Sequence, residues 1–217
     1  SSTSRGLGDV YKRQIINTNT RNEKIKKFFL DNKKNLIIIS SIIVIVTIGY
    51  FSFNEIKKIN KAKLADQFNS TVFSFKEEKK EATVSELKSI IKKKDTTYSP
   101  LALYFLIDNN LIDNNEDINN LFDVLIDDTS LKKEVKNLII YKKALFNSNT
   151  IEENELIKLL NPIINSDSIW KSHSLYLIAE FFYSKNEKQK SKEFFNQILE
   201  LPNTNIEIKI KSQKRLN

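Results

Sequence analysis

Cysteine is absent from this 217-residue chain, histidine and tryptophan occur once each, and glycine and proline only three times each. A cysteine-free chain fits either redox compartment. With His173 as its one imidazole, a transition-metal site would rest almost wholly on carboxylates. The glycines are Gly6, Gly8 and Gly49, so none follows residue 49. Tight hairpin turns lean on glycine, and so do the loops that cradle phosphates. Both β-sandwich or barrel architectures and Gly-rich nucleotide sites are thereby disfavoured, and an all-α fold is the expectation.

Charge is also lacking, over one stretch. From Asn35 to Asn54, twenty consecutive residues (NLIIISSIIVIVTIGYFSFN) carry no formal charge. As a helix they span about 30 Å, the thickness of a bilayer's hydrocarbon core. No polar face of the kind a soluble core helix shows is visible. A cleaved signal peptide would have a shorter apolar region, ~7–15 residues, and small residues at its end. This run instead exits through Tyr50, Phe51 and Phe53, suited to a membrane interface. The segment 35–54 is expected to be an uncleaved transmembrane signal anchor in contact with lipid.

Six cations precede it (Arg21, Lys24, Lys26, Lys27, Lys33, Lys34) and four follow (Lys57, Lys58, Lys61, Lys63), a bias toward a cytoplasmic N-terminus. The remainder would lie outside the cytosol, in the periplasm of a bacterial cell. The formal charge of +8 is uneven: residues 1–95 hold 20 Lys/Arg and 10 Asp/Glu, residues 96–217 hold 15 and 17. The excess sits beside the membrane, where anionic headgroups attract it. A nucleic-acid binder would carry a basic face on its folded domain, so no nucleic-acid partner is expected.

Residues 1–20 are read as a non-native or disordered tail, because SSTSRGLGDVYKRQ differs in style from the Lys-, Asn- and Ile-rich remainder. Residues 21–34 form a basic juxtamembrane segment, 55–97 a juxtamembrane helical pair, and 98–217 a helical repeat domain. Apolar residues recur there at helical spacing: Leu64, Phe68, Val72 and Phe75; Val84, Leu87 and Ile91; Ile118, Leu121, Phe122, Leu125 and Ile126; Val135, Leu138 and Leu145; Leu156, Leu159, Leu160, Ile163 and Ile164. Helix starts are expected at Ser99-Pro100, an N-cap followed by proline, and at two capping-box sequences, Thr83 to Glu86 and Thr150 to Glu153. First helices near Pro100, Lys132, Lys171 and Ile206 recur at 32, 39 and 35 residues, the period of a helix-pair solenoid. NIEIKIK alternates like a strand, but a lone strand has no partner in a helical domain, so it is read as a capping helix.

In SLYLIAEFFYSKNEKQKSKEFFNQILELP, Leu175, Ile178, Ala179 and Phe182 fall where a tetratricopeptide repeat places its first-helix residues. Ser191, Phe195 and Ile198 fill the small, aromatic and apolar slots of the second helix, with Asn186 near the position of the usual glycine. With the basic tail, the anchor, DDTSLKKEVKNLIIYKKALF and the segment from Trp170 to Leu216, the layout over about residues 21–217 resembles the YfgM-like inner-membrane proteins. That resemblance implies an ancillary component beside the Sec translocon, working with periplasmic chaperones. A tethered scaffold for another envelope assembly (division, cytochrome maturation, envelope biogenesis) is the alternative.

No catalytic, cofactor-binding or metal-binding set is picked out, and the chain is expected not to be an enzyme. A triad needs its groups to converge, whereas Ser172, His173 and Ser174 are neighbours that a helix points apart. DNNLIDNNED lacks the glycine of a calcium loop and reads as an inter-helix turn. The candidate partner-binding residues are Trp170 and Tyr176, aromatics of the kind that concentrate binding energy at interfaces. Helix-packing core is the competing reading for both. Self-association is left open.

Overall fold

The computed structural model describes residues 20–202 and 204–217 and divides the chain after Asn60 into two compact units. The described residues are helical throughout apart from turns, with no strand among them. The tail 1–19 lies outside them.

In the first unit, helix α1 occupies residues 20–31 and is followed by a turn at Asn32. Helix α2, Lys33–Phe73, is 41 residues long and long and apolar enough to cross a membrane. None of its most apolar 18-residue window is buried, unlike the core helix of a soluble domain. Two hydroxyls in the run are absorbed by the helix itself: Ser41 Oγ donates to Ile37 O at 2.9 Å and Thr47 Oγ1 to Ile43 O at 2.7 Å. The helix does not stop where the uncharged run stops; it continues through residues 55–73.

The second unit, Lys61–Asn217, takes in the end of α2 and eight further helices. They are α3 (Lys80–Lys92), α4 (Tyr98–Asp108), α5 (Asn115–Asp127), α6 (Lys133–Asn147), α7 (Glu153–Ile164), α8 (Lys171–Ser184), α9 (Lys188–Glu200) and α10 (Ile206–Leu216). From α3 onward each helix packs on the next, and α3 also meets α5, α6 meets α8, and α8 meets α10. The core runs along this order. Leu87, Ile90, Leu103, Leu106, Phe122 and Leu125 form its first part, Leu156, Leu160, Ile178 and Phe182 the middle, and Leu175, Ala179, Phe195 and Ile198 the last. Burial of such side chains stabilises the unit by about 1.5–3 kcal/mol each, offset by the entropy of ordering them.

Three expected caps are corrected. Helix α4 begins at Tyr98, before Ser99. Asp95 Oδ1 accepts the backbone N–H groups of Thr97 and Tyr98, both at 2.8 Å. Ser99 is buried instead, its hydroxyl donating to Ile90 O at 2.9 Å and so pinning α4 to the end of α3. Pro100 is tolerated because early helical positions need no intrahelical donor. Thr83 lies inside α3, which a 3-10 turn at Glu77–Lys79 starts earlier. Glu86, the expected box partner, accepts from Gln67 Nε2 of α2 at 2.6 Å. Thr150 precedes α7 by a turn, and Glu152 occupies the N-cap with no side-chain cap bond.

Asparagine does part of the work expected of those residues. Asn114 caps α5 by accepting Glu116 N–H at 2.8 Å, and Asn205 caps α10 through Ile208 N–H at 3.2 Å. Asn110 and Asn186 sit in the left-handed region (φ 50° and 62°) that ends α4 and α8. Asn tolerates this conformation better than most non-glycine residues, which lets Asn186 turn the chain where a repeat commonly has glycine. DNNLIDNNED is thus the α4–α5 link, with Leu111 buried in the core. NIEIKIK forms the first part of α10, where Ile208 is buried while Ile206 and Ile210 are exposed.

Candidate partner-binding face

Trp170 and Tyr176 both lie where α8 meets its neighbours, and both are half-buried. Trp170 immediately precedes α8 and is held there by hydrogen bonds to Glu134 at the start of α6 and to Ser168 in the link before α8. Its indole Nε1–H donates to Glu134 O at 3.1 Å, and its backbone N–H to Ser168 Oγ at 3.2 Å. Ser168 Oγ donates in turn to Glu134 Oε2 at 2.7 Å and accepts from the buried Asn137 Nδ2 at 3.0 Å. Glu134 Oε2 also accepts Ile169 N–H at 3.2 Å. Paired polar groups of this kind fix geometry, because a buried donor left alone costs about 1–3 kcal/mol.

The indole stacks on Tyr141 of α6, with centroids 6.0 Å apart and planes 17° from parallel. His173, one turn into α8, completes the cluster at 5.4 Å from Trp170 and 6.0 Å from Tyr141. Its Nδ1 is buried and has no hydrogen-bond partner among the described residues. Burial holds the His173 pKa below the ordinary histidine value, with Glu207 of α10 pulling it back up. Tyr141 is pushed up by burial, against the opposing effect of Lys211.

Tyr176 is not part of that cluster. Its ring packs against Phe195 of α9 at 5.7 Å. Its phenol lies beside Glu180, which accepts Arg215 Nε and Nη2 at 2.8 Å each. The Arg215 guanidinium is also 4.4 Å above the Tyr183 ring. Burial, and after it the nearby Glu180 carboxylate, raises the Tyr176 pKa, with Arg215 opposing. Glu207, Lys211 and Arg215 follow at i, i+4 and i+8 along one stripe of α10, and Arg215 reaches α8. Lys211 and Glu207 pair at 2.6 Å, which lowers the Glu207 pKa.

The side chains therefore come from three helices: Tyr141 from α6, His173, Tyr176 and Glu180 from α8, and Glu207, Lys211 and Arg215 from α10. Ile169, 68% exposed beside Trp170, and Val135 at the start of α6 leave apolar surface at its edge. Farther along, Lys142 Nζ sits 4.2 Å over Tyr104 of α4, whose phenol burial pushes to about 12.

No known family, curated protein or solved structure matches this chain. Among the described residues no group of three or more His, Asp or Glu could hold a metal ion. Ser172 and Ser174 are buried, and the hydroxyl of Ser174 is unpartnered among the described residues. The arrangement offers flat aromatic surface, fixed donors and paired charges, the materials of polypeptide recognition. The sequence pointed to Trp170 and Tyr176 as candidates, but not to Tyr141 or the charged stripe of α10 that lie near them in the fold. The i, i+4, i+8 spacing of Glu207, Lys211 and Arg215 was the available signal.

Proposed function

We propose that this chain is a membrane-anchored protein–protein interaction module. Its α2 helix is a single span with the basic N-terminal segment in the cytoplasm. Its helices from α3 onward are tetratricopeptide-like pairs on the periplasmic side of a bacterial inner membrane. The face built by Tyr141, Trp170, His173 and the α10 stripe docks polypeptide partners, and the resemblance to YfgM-like proteins makes translocon subunits and periplasmic chaperones the expected ones. The anchor raises the local concentration of that face at the membrane.

The observation that carries this reading is the half-buried aromatic cluster held by hydrogen bonds beside exposed Ile169. Interfaces draw their energy from such rigid aromatic anchors. Helix pairing adds support: α4, α6, α8 and α10 start at Tyr98, Lys133, Lys171 and Ile206, intervals of 35, 38 and 35 residues. So does the close packing of α8 and α9, where Ser191 Oγ donates to Ala179 O at 2.9 Å.

The test is photocrosslinking in native membranes, with a photoreactive residue at Ile169 or, as a control, at exposed Lys158 of α7. Translocon subunits recovered from Ile169 alone support the reading. Their consistent absence from both positions refutes the translocon assignment. A reporter active only outside the cytosol, fused after Asn217, should be active; silence overturns the orientation.

A further inference from the structure

The basic segment ahead of the apolar run has a shape as well as a charge. Residues 20–34 carry Arg21, Lys24, Lys26, Lys27, Lys33 and Lys34 against only Glu23 and Asp31. In α1, Ile25, Phe28 and Phe29 are spaced i, i+3 and i+4 and so share one face. They are 48%, 57% and 57% exposed. The two phenyl rings meet edge to face, 6.0 Å apart. Glu23 and Lys27 fall on the opposite side of the helix by the same periodicity, with Lys24 and Lys26 on its two flanks. Two bare, adjacent phenylalanines flanked on both sides by lysines are the composition of an interfacial helix, apolar toward acyl chains and basic toward headgroups.

Continuity with the apolar run fixes what can cover that face. Asn32 N–H donates to Phe28 O at 3.0 Å and Leu36 N–H to Asn32 O at 2.9 Å, so helical hydrogen bonds tie α1 to the start of α2. At ~1.5 Å per residue, Phe28 lies within about 10 Å of Asn35 and the edge of the hydrocarbon, the depth of the headgroup layer. A cationic helix at that depth is complementary to phospholipid phosphates.

We propose that α1 docks on an anionic phospholipid leaflet, with its Ile25, Phe28 and Phe29 face in the headgroup layer and its lysines among the phosphates. This rests on the reading of α2 as a membrane span. The test exploits the absence of cysteine, since one substitution gives one spin label in the full-length chain. Phe28→Cys, Ile25→Cys, Lys26→Cys and Ile43→Cys variants are reconstituted into phosphatidylcholine vesicles with and without phosphatidylglycerol. Accessibility to oxygen and to a water-soluble nickel chelate is then measured.

With phosphatidylglycerol, labels at positions 25 and 28 are expected to be oxygen-accessible and protected several-fold from nickel relative to position 26. That protection should fall by about twofold or more in phosphatidylcholine alone. Ile25→Cys retains both phenylalanines, so it guards against Phe28→Cys removing the contact it reports. Nickel accessibility at 25 and 28 equal to that at 26 in anionic vesicles overturns the docking. Protection independent of phosphatidylglycerol overturns the anionic preference. The Ile43 label separates the two levels: oxygen-accessible and nickel-protected, it leaves the span intact when the docking fails. Nickel-exposed, it overturns the span and the docking together.

Discussion

The indole of Trp170 lies nearly flat on the ring of Tyr141 while its Nε1–H donates to Glu134 O. One side chain thus joins α8 to α6 by both faces of its chemistry, π-surface and donor. Trp170→Ala should cost about 2–4 kcal/mol, combining lost packing with the lost aromatic pair. Trp170→Phe keeps a ring over Tyr141 and drops only the hydrogen bond, about 1 kcal/mol. Urea unfolding followed by circular dichroism ranks the two; equal losses would mean that the stack contributes nothing.

His173 makes stability depend on pH. Its folded pKa is lowered, chiefly by burial, below the ordinary value of 6.5, so the unfolded chain takes up the proton first. Stability from this group is full above the ordinary histidine range. It is lost as pH falls through 6.5 toward the lowered folded value. The groups facing it are Tyr141, Trp170 and Glu207, and Glu207 opposes the shift. Unfolding compared between about pH 8 and pH 5, where most carboxylates stay ionised, should show a decline that His173→Gln flattens. An unchanged slope in the variant would assign the decline to other groups.

Ser191 sits where α9 packs on α8, buried, with its hydroxyl on Ala179 O. Ser191→Ala should cost about 1 kcal/mol. Ser191→Leu forces the helices apart and should cost more, about 1–3 kcal/mol through overpacking. Thermal melts of both variants check the order. A leucine tolerated as well as alanine would show that this helix pair has room that the structure denies.

Arg215 holds Glu180 with two parallel bonds and covers Tyr183 with its guanidinium plane. Exposed pairs are worth little, so the double-mutant coupling of Glu180→Ala with Arg215→Ala should be about 0.5–1 kcal/mol and shrink in high salt. Arg215→Lys should not restore it, because an ammonium offers neither the fork nor the plane. Full rescue by lysine would reduce the contact to a point charge.

What could be read in advance follows from the range of each signal. Helices were legible because an apolar stripe repeats over several turns: starts expected near Pro100, Lys132, Lys171 and Ile206 fall at Tyr98, Lys133, Lys171 and Ile206. Caps were not, because one tertiary bond redirects a residue. Ser99 serves Ile90, Glu86 serves Gln67, and Asp95 and Asn114 take the capping roles. The alternation of Ile206, Ile208 and Ile210 misleads for a related reason, since the helix buries only the middle one. At the candidate site Trp170 and Tyr176 announce themselves as aromatics. The stacking of Trp170 on Tyr141 and the packing of Tyr176 on Phe195 join different helices across about twenty to thirty residues, which no local pattern encodes.

The apolar half of α2 makes the most general prediction, because the functional reading depends on where that helix resides. Ile45 is 69% exposed, and no apolar residue among those described covers it. In water such a surface would drive association, whereas in lipid it costs nothing and the backbone bonds within the helix are already satisfied. Ile45→Arg at the centre of the run should disfavour insertion by about 2.5–3.5 kcal/mol, while the same change at Ile59, beyond the uncharged segment, should cost far less. Alkaline extraction of membranes carrying each variant measures this directly. The unaltered chain and Ile59→Arg should remain in the pellet and Ile45→Arg should move toward the supernatant. If the unaltered chain is itself extracted, α2 does not span, and neither the anchored module nor the lipid contact of α1 survives.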